Sequence, residues 1–282
     1  MRIFALFRLI RPLNGLIGGI SVFVGGFLTQ KELRSPELPL ACLVCFLIIS
    51  AGNSLNDWAD TEIDKINKPK KPIPSGKFTR PQVLVISIIL FVLGLLISLK
   101  LPIALLFIAL FASLLLLLYN FRLKAKGLSG NLIVAILGGL PFIYGGVVLG
   151  DWLPTLIPFG FAFLLHFARE ILKDIEDIPG DRNANNVSFP IKYGVRKAIL
   201  LSNLILGVLI AFTFLPFFIG WYGVIYLIGV ILCIDLSLGL TIYKLRQVGC
   251  DVVIASTYVS KACDSLKFTM LIGLAVLSLG YY

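Results

Sequence analysis

Long apolar runs separated by short polar segments make up most of the chain. Each run is long enough to cross the roughly 30 Å hydrocarbon core of a bilayer as a helix that rises about 1.5 Å per residue. The predicted spans are residues 9–29, 39–56, 82–99, 103–121, 128–149, 154–172, 196–217, 222–243 and 262–282. This pattern predicts an all-α, polytopic membrane protein with nine transmembrane helices, folded as a single transmembrane domain over residues 1–282.

Composition excludes an ordinary soluble domain. Hydrophobic residues make up 58% of the 282 positions and charged residues only 14%, against about 25% charged in soluble proteins. Of the 25 Lys and Arg, 21 fall at the N-terminus or in the loops after even-numbered spans, which predicts that this side is cytoplasmic and that the protein lies in the cell membrane. The basic face suits lipid headgroups or diphosphates. No soluble module remains to bind nucleic acid, and no protein partner is indicated.

The first candidate site follows the second span. Asp57, Asp60 and Asp64 fall on one helical face, and Asn53 lies one turn earlier on the same face. Like charges on one stripe repel unless a cation lies between them. Mg²⁺ prefers carboxylate oxygens and keeps coordination positions for phosphate, so it is the predicted occupant. The alternative is a solvated helix end with incidental charges.

A second acidic stretch follows the sixth span and repeats the spacing of the first. Asp174, Asp177 and Asp181 each lie 117 residues after Asp57, Asp60 and Asp64, and Glu170 corresponds to Asn53 in the same way. This pseudo-repeat predicts two acidic motifs that together hold two Mg²⁺ ions against a diphosphate. A diphosphate at the membrane boundary would have its organic tail in the bilayer, which favours a polyprenyl diphosphate. Lys124 and Lys173 are the basic residues predicted to share its charge.

Both motifs resemble the signatures of the UbiA superfamily of intramembrane prenyltransferases. The first signature, N-D-x-x-D-x-x-x-D, is present as residues 56–64, and the second, D-x-x-D-x-x-x-D, as residues 174–181. The resemblance covers essentially the whole chain and implies nine helices around a central cavity. The flanking segments 66–76 and 128–146 resemble the archaeal branch that makes digeranylgeranylglyceryl phosphate. That branch implies geranylgeranyl transfer from geranylgeranyl diphosphate to the free hydroxyl of geranylgeranylglyceryl phosphate, in phospholipid biosynthesis of archaeal ether lipids.

The resemblance and the motifs together give a set of candidate site residues. The predicted metal ligands are Asn56, Asp60, Asp64, Asp177 and Asp181. The predicted catalytic residues are Asp60, Asp64, Asp177, Asp181, Lys124 and Lys173. The predicted substrate-binding residues are Asn53, Asn56, Asp57, Asp174, Lys71, Arg11, Tyr119 and Arg169.

Two other functions remain open at this point. A prenyltransferase with an aromatic acceptor, of the quinone or chlorophyll type, would use the same donor chemistry. An ion-coupled transporter would instead place its charged residues near the bilayer midplane in broken helices. The acidic residues here cluster at span ends on one side of the membrane, which favours the enzyme.

Overall fold

The computed structural model describes residues 2–29, 35–124, 126–184, 186–249 and 252–280, and these are almost entirely helical. The helices are α1 Arg2–Ile10, α2 Pro12–Thr29, α3 Glu37–Ala59, α4 Thr61–Asn67, α5 Arg80–Ser98, α6 Ile103–Leu118, α7 Leu128–Val148, α8 Leu156–Asn183, α9 Phe189–Tyr193, α10 Val195–Thr213, α11 Leu215–Phe218, α12 Val224–Gly229, α13 Leu236–Arg246 and α14 Val252–Leu279. Two π-helical turns, Tyr119–Leu123 and Val230–Asp235, follow α6 and α12.

Within the described residues, nine helical segments are long and apolar enough to cross a membrane, which confirms the predicted fold class. Most boundaries lie within three residues of the prediction, and the sixth and ninth spans differ more. The first span begins at Pro12, the sixth continues to Asn183, and the ninth begins at Ile254. The sixth and ninth are longer because backbone hydrogen bonding continues where hydropathy falls. Lys31 and Arg34, two of the four Lys and Arg not counted on the predicted cytoplasmic side, and the final two residues of the predicted ninth span lie outside the described residues.

The chain forms two compact units. Unit 1 contains residues 1–124, 140–155 and 179–185, and unit 2 contains residues 125–139, 156–178 and 186–282. Helices α7 and α8 therefore each contribute residues to both units. The predicted single domain and central cavity remain predictions.

Unit 1 is built around α3, which packs against α2 and α5. Ser87 on α5 donates a 2.9 Å hydrogen bond to the Ala51 carbonyl on α3. The second half of α7 approaches α2 so closely that a Cβ on Gly145 would lie 1.9 Å from the Val22 carbonyl oxygen. Small residues permit such backbone contact between membrane helices. The first acidic motif therefore begins at the C-terminal, polar end of a tightly packed helix, α3.

Unit 2 combines the longer part of α8 with α10, α13 and α14. Ser202 on α10 donates a 3.1 Å hydrogen bond to the Ala168 carbonyl on α8. A hydroxyl pair, Ser237 with Thr269, joins α13 to α14 at 2.7 Å. Because polar side chains within membrane helices need partners, these bonds fix the contacts between the helices.

Candidate active site

The first acidic motif spans the junction between α3 and α4. Asp57 lies near the end of α3, Asp64 lies in α4, and Asp60 occupies the position between them. The Asp60 N–H donates to the Asn56 carbonyl at 2.9 Å, and the Asp64 N–H donates to the Asp60 carbonyl at 2.8 Å. Helical hydrogen bonding therefore continues across the junction, and the spacing of the three carboxylates is that of one helical face. Asp57 and Asp64 are 2% and 3% exposed.

Two predicted basic residues pair with the buried carboxylates. Arg11 bonds to Asp57 Oδ1 at 2.5 Å. Lys71 Nζ bridges the stripe, with 2.9 Å to Asp57 Oδ1 and 2.6 Å to Asp64 Oδ2. These ion pairs offset the repulsion that the stripe would otherwise suffer.

The break between α1 and α2 presents Arg11 to the motif. Arg11 has a positive φ of 48°, a conformation that is uncommon for residues other than glycine. Pro12 then begins α2 and cannot donate a backbone hydrogen bond. Asn53 lies beside this break, with its amide nitrogen 3.5 Å from the Ile10 carbonyl, which is a long contact. Asn53 therefore contacts the segment that carries Arg11.

A proline-rich loop holds Lys71. Its backbone N–H donates to the Lys68 carbonyl at 3.0 Å, and its carbonyl accepts the Ser75 N–H at 3.0 Å. Pro69 and Pro72 lie within these two turns and fix two backbone φ angles. Because the loop is already restrained, Lys71 loses less conformational entropy when it pairs with the two carboxylates.

The π-helical turn after α6 precedes Lys124. The Lys124 N–H donates to the Tyr119 carbonyl, five residues back, at 2.9 Å. A π turn contains one more residue between its hydrogen-bonded groups than an α-helical turn, and such turns are frequent at functional sites. Lys124 Nζ contacts Asp60 Oδ2 at 2.5 Å and donates to Asn56 Oδ1 at 2.6 Å. The Tyr119 ring centroid lies 5.5 Å from the same nitrogen, within cation–π range.

The donor set of the first motif suits a hard divalent cation. Asp57 Oδ2 and Asp60 Oδ1 are buried and have no hydrogen-bond partner, so both oxygens retain coordinating capacity. Among the described residues no three His, Cys, Asp or Glu side chains are grouped as metal ligands. Instead, Arg11, Lys71 and Lys124 contact the carboxylates. The residues of the first motif therefore fit Mg²⁺ by chemistry, while side-chain cations balance their charge.

Burial raises the pKa of Asp64 above its ordinary value of 3.8. The positive charge of Lys71 opposes this rise, and the negative charges of Asp60 and Asp57 add to it. The net direction shows that desolvation outweighs the ion pair at this carboxyl. A cation that binds here would favour the ionised form.

The second acidic motif lies on α8. Asp174 Oδ2, in unit 2, accepts a 2.9 Å hydrogen bond from Asn131 Nδ2 on α7. Asn131 is buried and is absent from the set predicted from sequence, although a polar residue inside an apolar run was a usable signal. Asp177 follows Asp174 on α8 and is half-buried. The structure places Asp181 in unit 1, with the end of α8.

Lys173 and Arg169 both pair with Glu170. Lys173 Nζ lies 2.9 Å and 2.8 Å from the two Glu170 carboxylate oxygens, and Arg169 Nη1 lies 3.2 Å from Oε1. Glu170 is also absent from the predicted site, although its correspondence with Asn53 in the pseudo-repeat marked the position.

The nine apolar helical segments found among the described residues indicate an integral membrane protein. Residues 19–250 match the UbiA prenyltransferase family. A digeranylgeranylglyceryl phosphate synthase of Methanococcus maripaludis strain C6 is 40% identical over 247 residues, covering 87% of this chain and 88% of the relative. A synthase of the same name from Sulfurisphaera tokodaii is 39% identical over 246 residues, covering 86% and 88%. The chain belongs to the UbiA prenyltransferase family, as predicted.

Two solved structures share the fold. A structure concerning digeranylgeranylglyceryl phosphate synthase aligns with a TM-score of 0.74 at 32% identity, covering 99% of this chain and 98% of that chain. A UbiA homologue from Archaeoglobus fulgidus, bound to GPP and Mg²⁺, aligns with a TM-score of 0.71 at 16% identity, covering 97% and 99%. The second likeness shows the fold alone.

Proposed function

We propose that this chain transfers a geranylgeranyl group from geranylgeranyl diphosphate to the free hydroxyl of geranylgeranylglyceryl phosphate. The observation that carries the proposal is the likeness to digeranylgeranylglyceryl phosphate synthases along nearly the whole chain. The relative from Methanothermobacter thermautotrophicus is 35% identical over 282 residues, covering 95% of this chain and 98% of the relative. The product is digeranylgeranylglyceryl phosphate, whose second ether bond is formed in this step.

Both acidic motifs bind Mg²⁺ in this proposal. The ligands are Asn56, Asp60, Asp64, Asp177 and Asp181, with Asp57 and Asp174 in support. The unpartnered oxygens of Asp57 and Asp60 and the Mg²⁺ bound to the Archaeoglobus fulgidus homologue support a divalent metal. When bound, Mg²⁺ neutralises negative charge on the leaving diphosphate.

Arg11, Lys71 and Lys124 stabilise the donor diphosphate. All three already contact the first motif, so little side-chain entropy remains to be lost when the diphosphate binds. Charge-assisted hydrogen bonds from these cations to phosphate oxygens are stronger than neutral ones. Asn56 and Tyr119 hold Lys124 in position for this role.

The reaction exchanges one carbon–oxygen bond for another. The bond between carbon 1 of the donor and its diphosphate breaks, and both electrons leave with the diphosphate. The acceptor hydroxyl oxygen then bonds to carbon 1 and loses its proton to a carboxylate or to the departing diphosphate. Arg11, Lys71 and Lys124 favour this transfer because they hold the diphosphate, and with it carbon 1, in one position relative to the acceptor oxygen.

The active site faces the cytoplasm of the cell membrane in this proposal. The support is the concentration of 21 of the 25 Lys and Arg on the side of the acidic motifs. Both substrates are lipids with anionic heads, which suit this basic side.

An acceptor panel tests the proposal. The purified protein in detergent receives geranylgeranyl diphosphate, Mg²⁺ and either geranylgeranylglyceryl phosphate or a phenolic acid, and products are identified by mass spectrometry. We expect digeranylgeranylglyceryl phosphate and no prenylated phenol. Prenylation of the phenolic acid without use of the glyceryl phosphate lipid would show that the acceptor is aromatic.

A further inference from the structure

Arg169 and Lys173 converge on one carboxylate inside the membrane span Leu153–Asn183. They are four residues apart on α8 and so lie on one face. Arg169 Nη1 lies 3.2 Å and Lys173 Nζ 2.9 Å from the same atom, Glu170 Oε1. The two cationic nitrogens are therefore no more than about 6 Å apart, because both distances end on one oxygen. A single phosphate group is large enough to contact both.

The charge of this cluster differs from that of the first motif. In unit 1, Arg11, Lys71 and Lys124 face three aspartates. In unit 2, Arg169 and Lys173 share the single carboxylate of Glu170, and Asp174 and Asp177 follow on the same helix. Each cation keeps N–H groups beyond those that contact Glu170, because a guanidinium carries five donors and an ammonium three. These groups can donate to the oxygens of an anionic ligand.

Exposure of the cluster is confined to its cations. The Lys173 and Arg169 side chains are 34% and 23% exposed, whereas the Glu170 side chain is 8% exposed. Long cationic side chains near the end of a span keep their charged groups in a polar space. The buried Glu170 can therefore orient the two cations, and the partly exposed cations can contact a ligand.

Buried polar atoms without partners lie at the same level of unit 2. Arg169 Nε is buried and has no hydrogen-bond partner. The Ser202–Ala168 hydrogen bond brings α10 beside α8 at this level, and the next residue, Asn203, has both amide atoms buried and unpartnered. Buried donors and acceptors are rarely left unsatisfied in a complete site. The unpartnered Arg169 Nε supports a polar ligand at Arg169.

We propose that Arg169 and Lys173 bind the phosphate of the glyceryl phosphate acceptor, and that Glu170 positions both cations. This inference rests on the proposed function. It assigns Lys173 to the acceptor, whereas the sequence predicted that Lys173 shares the charge of the donor diphosphate. A separate basic site for the acceptor is required because its phosphate and the donor diphosphate repel each other. Arg169 supplies a planar fork that matches phosphate oxygens, and Lys173 supplies a point charge.

Steady-state kinetics of Arg169→Gln and Lys173→Gln test the inference, with Lys197→Gln, an exposed cation on α10, as the matched control. Each site variant should raise KM for geranylgeranylglyceryl phosphate about tenfold or more, the scale of one lost charge-assisted hydrogen bond. KM for geranylgeranyl diphosphate should stay within about twofold of the wild type, and the control should match the wild type. Arg169→Lys should recover part of the loss because it restores the charge.

A phosphate-free acceptor, geranylgeranylglycerol, gives the second readout. If the cations bind the acceptor phosphate, the site variants should lower kcat/KM for geranylgeranylglyceryl phosphate while leaving the low kcat/KM for geranylgeranylglycerol unchanged. An unchanged KM for the phosphorylated acceptor, or an equal loss with both acceptors, overturns the inference. Failure of the wild type to use geranylgeranylglyceryl phosphate would instead overturn the proposed function. Lys173→Gln carries the test if Arg169→Gln does not fold.

Discussion

The side chain of Asn67 accepts a 3.0 Å hydrogen bond from the backbone N–H of Gly180. Asn67 ends α4, three residues after Asp64, and Gly180 directly precedes Asp181. Pro179, which lacks an N–H, interrupts the regular hydrogen bonding of α8 at this point. The bond therefore joins the ends of the two acidic motifs within unit 1. Neither Asn67 nor Gly180 is among the residues predicted from sequence.

Gly180→Ala should disturb this junction. A Cβ at Gly180 would lie 2.6 Å from Asn67 Nδ2 and 2.8 Å from Ile63 Cγ2, so the Asn67 and Ile63 side chains must move and the Asn67–Gly180 hydrogen bond is disturbed. We expect kcat to fall about tenfold or more, because small displacements of ligand-bearing groups are costly in catalysis.

The matched control for this substitution is Gly207→Ala on α10. A Cβ at Gly207 meets nothing within 4 Å, and alanine favours a helix by roughly 0.8 to 1 kcal/mol over glycine. The control should keep its activity and should not lose thermal stability. Equal activity of both variants would show that the α4–α8 contact does not position the motifs.

Lys71→Met should destabilise the metal-free protein. The substitution leaves the buried carboxylates of Asp57 and Asp64 without their shared cation, and breaking a buried pair in this way costs about 3 to 5 kcal/mol. Thermal unfolding in detergent with EDTA should show a lower Tm than the wild type. Added Mg²⁺ should raise the Tm of Lys71→Met more than that of the wild type, because the metal replaces a missing positive charge.

Lys71→Arg keeps the charge and provides the comparison for Lys71→Met. It should unfold close to the wild type in EDTA, since arginine can still reach a carboxylate. A Lys71→Met protein as stable as the wild type without metal would mean that the ion pairs of Lys71 contribute little.

Asp64 should make metal-free stability depend on pH. Because its folded-state pKa lies above the ordinary value of 3.8, the folded state binds this proton more tightly than the unfolded state. Ionising the buried Asp64 carboxyl lowers the free energy of unfolding. This loss is absent below the unfolded-state pKa and grows as pH rises through the folded-state pKa. In EDTA, Asp64→Asn should gain Tm relative to the wild type as pH rises across this window.

Glu62→Gln serves as the control for the pH series. Glu62 is exposed on the same helix and pairs with Lys65 at the surface, where an ion pair is worth about 0 to 1 kcal/mol. Its Tm difference from the wild type should stay nearly constant with pH. If the Tm difference between Asp64→Asn and the wild type also stays constant with pH, burial does not raise the pKa of Asp64 in the folded state.

Hydropathy and residue spacing predicted the features that depend on residues close together in the sequence. Apolar runs gave the nine spans, and the 3.6-residue period placed Asp57, Asp60 and Asp64 on one face, because both features depend on neighbouring residues alone. Arg11, Lys71 and Lys124 contact these carboxylates in the structure, whereas the sequence predicted Mg²⁺ as the cation between them.

Backbone conformation and contacts between helices could not be predicted from the sequence patterns. The positive φ at Arg11 and the π turn before Lys124 depend on how helices pack, and no propensity predicts them. The Asn131–Asp174 bond joins residues 43 positions apart, on different helices. Lys173 pairs with Glu170, although Asp174 and Asp177 are also close in sequence, and charge spacing alone does not choose among these carboxylates.

The central claim is that both acidic motifs support Mg²⁺-dependent prenyl transfer, and turnover of Asp64→Ala and Asp181→Ala tests it most directly. Product formation from geranylgeranyl diphosphate and geranylgeranylglyceryl phosphate would be measured with EDTA and with Mg²⁺, beside the wild type and Glu62→Ala. We expect Mg²⁺-dependent activity in the wild type and in Glu62→Ala, and a loss of about 10³-fold in each aspartate variant at unchanged folding. Retention of more than about a tenth of wild-type activity by either folded aspartate variant would contradict the account.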